Sequence, residues 1–136
     1  ARKRFSHEDT DPMSNLTDYA RDLLSRALCG RQPSLPGVAY AALGTGGSNA
    51  SGLIGEPAGT GYARQRVVFQ GTGNQVNAEP VRFAFSAAAG TLTHLGLYDA
   101  ATGGHALTLT VLDQPVLMPG AGAVTLGVGA MNVSPG

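Results

Sequence analysis

Three histidines, His7, His94 and His105, are the side chains of this sequence best suited to metal or proton chemistry. Two of them flank a regular stretch, TLTHLGLYDAATGGHALTLTVL at 91–112, with Asp99 between them. A metal site needs two or three such ligands converging with a carboxylate. A Ser-His-Asp arrangement of the hydrolase type needs its serine on a strand-to-helix elbow, and no G-x-S-x-G surrounds any serine here. The spacing argues for a hairpin instead. DAATGG closes the turn, His94 lies several residues down its strand, and His105 opens the next strand beside the turn. The two rings are then offset, and joint ligation is not expected. Leu92, His94, Gly96 and Tyr98 share the more polar face, and Thr91, Thr93, Leu95 and Leu97 share the other. His94 is therefore expected at solvent or at an interface. Asp99 reads as a turn residue whose carboxylate bonds the backbone two residues on.

Other candidates also have a plainer reading. GTGGSNASG resembles a phosphate loop only in its glycines. It lacks the Lys-Ser/Thr pair and is followed by LIGEPAG, which starts no long helix. The whole segment 44–61 is expected to be a flexible surface loop without regular structure. Three Asn-x-Ser/Thr matches, at Asn15, Asn49 and Asn132, are near chance in a chain this rich in those residues. Cys29 is the single cysteine, which excludes an internal disulfide and a cysteine-based zinc site. It is expected as a small buried residue at the end of a helix. Arg64 and Arg66, at i and i+2, share one strand face. They are read as inter-subunit residues, with Glu56 or Glu79 of a neighbour as the carboxylate that a guanidinium fork would bind. No cofactor, metal or catalytic residue is assigned.

The elements that position these residues are mostly strands. SNLTDYARDLLSRALCG is the one clear helix, expected at about 14–29. Ser14 or Asn15 can cap it, Asp18 puts negative charge in its first turn, and Gly30 can stop it. Its apolar stripe is Leu16, Tyr19, Ala20, Leu23, Leu24, Ala27 and Leu28. From Leu35 onward, short β-type runs alternate with Gly and Pro. YARQRVVFQ reads as a strand, and EPVRFAFSA alternates Val81, Phe83 and Phe85 against Arg82, Ala84 and Ser86. The spacing of strands and turns predicts a mainly β fold, an antiparallel β-sandwich or jelly-roll-like module with one N-terminal α-helix. The expected organisation is an arm at 1–12 followed by a single β-rich domain at 13–136.

Net charge is zero and charged residues are 13% of the chain, so no long-range field gathers nucleic acid. After Arg82 there is neither Lys nor Arg. A surface so poor in charge suits burial against copies of itself or a partner. No apolar run reaches the roughly 18 residues of a bilayer span, and no secretory leader is expected after the basic ARKRF. The arm is polar, with Phe5 its only large apolar residue. Arg2, Lys3, Arg4 and Phe5 are expected to grip an adjoining protein.

Three stretches, MSNLTDYARDLLSRALCG, GTGYARQRVVF and TLTHLGLYDAATGGHAL, resemble in order and spacing a family of small tailed-phage virion proteins usually labelled tail fibre or minor structural proteins. The resemblance covers about residues 13 to 130, and GYARQ together with YDAATGG carries it. Residues 1–12 are extra to that pattern. The Gly-, Ser- and Ala-rich loop also resembles head-spike base proteins of phage-derived gene transfer agents. The resemblance implies a non-enzymatic virion component that assembles with identical subunits, a capsid or tail protein and a spike or fibre, in the bacterial cytoplasm. It implies no nucleic acid, membrane or cofactor. Two other classes remain: a host-surface carbohydrate-binding module with a groove lined by Tyr and His, and a hydrolase using a carboxylate pair among Glu56, Glu79, Asp99 and Asp113.

Overall fold

A computed structural model describes residues 15–134. The arm, with Arg2, Lys3, Arg4 and Phe5, lies outside the described residues, as do His7 and Ser14. The described chain is mainly β. Helix α1 (Asp18–Leu28) precedes eleven strands: β1 (Ala39–Gly44), β2 (Gly46–Ser48), β3 (Gly52–Ile54), β4 (Gln65–Val67), β5 (Phe69–Gln70), β6 (Gln75–Asn77), β7 (Val81–Phe85), β8 (Gly90–Tyr98), β9 (Ala106–Met118), β10 (Gly122–Leu126) and β11 (Asn132–Val133). The largest sheet has the order β4-β1-β8-β9. The ladders β10-β7 and β11-β6-β5 complete the sandwich, and every paired register is antiparallel.

The core lies between that sheet, the β7 face and the helix. Leu43, Leu92, Leu95 and Leu97 meet Val81, Phe83 and Phe85, with Leu16, Ala20 and Met131 closing the cluster. The alternation read in β7 is realised: Val81, Phe83 and Phe85 are buried, and Arg82 and Ala84 exposed. Asn77, fully buried, fixes the return to β11. Its amide donates to Glu79 O and Gly127 O, and its oxygen accepts from Met131 N–H at 2.8 Å.

The helix departs from expectation at both ends. Its cap is Thr17, not Ser14 or Asn15, and Thr17 Oγ1 accepts from Ala20 N–H at 3.2 Å while donating to Ala106 O at 2.6 Å. The reason is tertiary. Residues 15–17 are held extended along β9, with Thr17 N–H to Leu107 O and Leu109 N–H to Asn15 O, so the helix cannot begin before Asp18. Asn15 instead bridges β9 to the C-terminal strand, through Thr110 Oγ1 and Asn132 O. At the other end Gly30 does terminate the helix, at φ +77°. Cys29 is the C-cap and is exposed, contrary to its expected burial, and Leu28 is 88% exposed. The last turn overhangs the sheet, and only Ala20 and Leu23 of the helix are buried.

Segment 44–61 is not a structureless loop. It carries the β2–β3 hairpin, paired Gly46↔Ile54, Gly47↔Leu53 and Ser48↔Gly52, which lies on the outer face of the large sheet. That face is built low, from Ala42, Gly96 and Ala106, and Leu53 packs into the trough they leave. A Cβ on Gly52 (φ +79°) would stand 2.8 Å from the Ala106 Cβ, so the close approach requires glycine there.

The β8–β9 hairpin closes on DAATGG as read, with Tyr98 opposite Ala106 and His94 opposite Val111. Its faces differ from expectation. Between Leu92 and His94 the register shifts, residues 112–115 of β9 facing a single residue of β8. The alternation therefore slips, and Leu92 joins the same core as Leu95 and Leu97. Gly96 and Tyr98 lie buried beneath the β2–β3 hairpin, and of that set only His94 stays half-exposed. Phe83 fills the centre of the core. Phe83→Ala is expected to cost about 3–5 kcal/mol, read as a lower urea midpoint with an unchanged slope.

Candidate functional site

Arg64 gathers a carboxylate, two carbonyls and an aromatic ring around one guanidinium. It precedes β4, and its side chain folds inward, 8% exposed, rather than sharing an open face with Arg66. Its Nε donates to Glu56 Oε2 at 2.8 Å and its Nη2 to Glu56 Oε1 at 3.0 Å, a two-bonded guanidinium–carboxylate fork. Its Nη1 donates to Ala100 O at 2.9 Å and Gly103 O at 2.7 Å, both in the DAATGG turn. The guanidinium lies 3.8 Å from the centre of the Tyr98 ring, in cation–π contact. Glu56 is thus the partner expected from the residue types, but it belongs to the same chain. The Arg64 ion pair is intramolecular.

Two tyrosines extend the cluster. Tyr62 donates its hydroxyl to Glu56 Oε2 at 2.6 Å and accepts from Leu43 N–H at 3.0 Å. Tyr98 accepts from Leu53 N–H at 2.9 Å, which ties the β2–β3 hairpin to the sheet. The motifs GYARQ and YDAATGG therefore meet through Arg64. No periodicity signals this contact, and Tyr62, Tyr98 and the two turn carbonyls are not legible as its partners in the sequence.

The electrostatics follow from this geometry. Burial pushes the Glu56 carboxyl up, but the Arg64 and Tyr62 hydrogen bonds and the Arg64 charge outweigh it and hold it below its ordinary 4.5. Burial, and next the Glu56 hydrogen bond, push the Tyr62 hydroxyl far above its ordinary 10.0, so it remains a donor. Burial disfavours the Arg64 charge, yet Glu56 raises its affinity for the proton. Both charges persist at neutral pH.

On the turn itself, Asp99 Oδ1 accepts from His105 N–H at 2.7 Å, six residues on rather than two. This closes the loop across the glycine pair, where Gly104 (φ +70°) leaves no room for a Cβ beside Asp99 and Ala100. His105 stacks on Tyr19 of the helix, centroids 4.1 Å apart and planes 4° from parallel, with Asp99 Oδ2 at 3.6 Å from its Nδ1. His94 is elsewhere on the sheet, with its Nδ1 2.8 Å from Thr93 Oγ1. Among the described residues no group of three or more His, Cys, Asp or Glu is placed to hold a metal ion. Arg66 is exposed, and the Glu79 backbone is held by Asn77.

Two clefts flank the turn. One, about 260 Å³, is lined by Tyr19, Tyr98, His105 and the 49–52 bend. The other, about 370 Å³, lies beside Glu56, Tyr62 and Arg64.

The fold is an antiparallel β module whose Arg64–Glu56 pair binds the module's own loops. Over residues 12–134 the chain matches the family described as podophage GP4 fiber I protein gp80, and it belongs to that family of tailed-phage fibre proteins. Its role is that of a virion structural component. No curated protein matches it.

The tie has a signed pH dependence. Because the folded Glu56 has a depressed proton affinity, its contribution is complete above about pH 4.5 and is lost as pH falls through the depressed value. Glu56→Gln is expected to cost about 1–3 kcal/mol at pH 7. The gap to wild type should narrow steadily below pH 4.5 in urea titrations run across that range.

Proposed function

We propose that this protein is a non-enzymatic, self-associating base or adaptor that attaches a spike or fibre to the capsid or tail of a tailed phage or phage-like particle, such as a gene transfer agent. The observation that carries the reading is the fibre-family match over residues 12–134 in a chain whose charged centre is committed to its own loops. Assembly takes place in the bacterial cytoplasm. The half of the chain after Arg82 supports self-association: it has neither Lys nor Arg and leaves Val111, Leu117 and Val128 exposed. In this reading Arg2, Lys3, Arg4 and Phe5 grip the adjoining capsid or tail protein, and Arg66 faces a neighbouring subunit. Deleting residues 1–12 is expected to leave the circular dichroism and melting temperature unchanged while abolishing incorporation into particles. Incorporation at the wild-type level would remove the arm from the mechanism.

One observation favours a second reading, a host-glycan module: the 260 Å³ cleft is lined by Tyr19, Tyr98 and His105. In that case the chain gives a positive glycan array, and Tyr19→Ala with His105→Ala erases the signal. A blank array with the wild-type chain dismisses it.

A further inference from the structure

The large sheet ends in two edges that no other strand of the described residues occupies. At one edge, residues 15–17 line β9 only as far as Leu109. Asn15 directs its N–H to Ser134 O at 3.2 Å. Among the described residues, 110–114 make no backbone hydrogen bond outside the β8 pairing. Pro115 ends this open run, because it has no N–H to offer. Val111, Asp113 and Gln114 along it are exposed. At the other edge stands β4, three residues long, with Arg66 exposed at its centre.

We propose that these edges meet: β9 of one copy receives β4 of the next, head to tail, with Arg66 opposite Asp113. The inference rests on the self-association reading above and names its interface. Strand direction fits. β4 and β8 both run antiparallel to β1, and β9 runs antiparallel to β8. A neighbour's β4 placed on β9 by continuing the sheet therefore forms one more antiparallel pair. Length fits too, since a three-residue strand needs only the short run before Pro115. Charge selects this arrangement over a two-fold one. Neither Arg66 nor Asp113 makes an ion pair among the described residues, and the half of the chain that holds Asp113 has neither Lys nor Arg. A two-fold β9–β9 contact would bring the two Asp113 carboxylates together, which is unfavourable. A head-to-tail contact gives each a cation and, repeated, closes a ring or grows a filament.

Light scattering and an oxidative crosslink test this on the full chain. Wild type is expected to assemble. R66D and D113R should each raise the dissociation constant about tenfold or more, as like charges are brought together. The combined R66D/D113R chain should recover assembly. In a C29A background, R66C mixed with D113C should give a disulfide-linked pair, and D113C alone should give none. If both charge reversals leave the mass unchanged, or D113C crosslinks alone as well as in the mixture, the edge assignment fails while self-association stands. A wild-type chain that stays monomeric at tens of micromolar overturns both.

Discussion

The fold around the candidate site depends on one guanidinium. Arg64 uses Nε, Nη1 and Nη2 on four oxygens and lays its plane on an aromatic ring. Those partners sit on two separate pieces of chain: the segment after β3, and the end of β8 with the turn that follows it. A lysine could not serve all of them, because its point charge lacks the planar fork. The carboxylate is needed equally. A buried guanidinium without Glu56 would bear its desolvation cost with only turn carbonyls in return. Tyr62 and Tyr98 carry the constraint onward, since each hydroxyl also accepts a backbone N–H, from Leu43 of β1 and Leu53 of β3.

That onward link explains why the outer face of the large sheet is built from small residues. The β2–β3 hairpin must lie close enough for Leu53 N–H to reach the Tyr98 hydroxyl. It can do so only because Ala42, Gly96 and Ala106 leave the space. Both faces of β1 are consequently covered, and Ala41, Ala42 and Leu43 are all fully buried. The glycine-rich composition of 44–61, which reads as flexibility, is the condition for this rigid packing of backbone on sheet.

What is legible in the sequence is what local periodicity encodes. The β7 alternation, the DAATGG turn, the Gly30 stop and the mainly β class each follow from neighbouring residues. The misses are non-local. Thr17 displaces Ser14 and Asn15 as the cap because 15–17 are drawn onto β9, roughly ninety residues away. The β2–β3 hairpin lacks the branched and aromatic residues that signal a strand, because its support comes from another part of the chain. His94 and Leu92 part company through a register shift that strict alternation cannot anticipate. The Arg64–Glu56 pair was recognisable by type, but nothing in the spacing tells that the carboxylate is on the same chain.

Arg64 and Arg66 make the physical division plain. They are two residues apart, yet one turns into a protein-lined site and the other into water. Salt at physiological strength screens charges over about 8 Å of solvent and acts less on a pair held partly out of solvent, as Arg64 and Glu56 are. Arg64 is therefore the less salt-sensitive of the two arginines. Arg66 remains adjustable by its surroundings, which suits a residue that must find its counterpart on another molecule. A scaffold protein needs both kinds of charge, one insulated to keep the building block invariant and one exposed to bias how the blocks meet. In this chain Arg64, just before β4, and Arg66, at its centre, supply one of each.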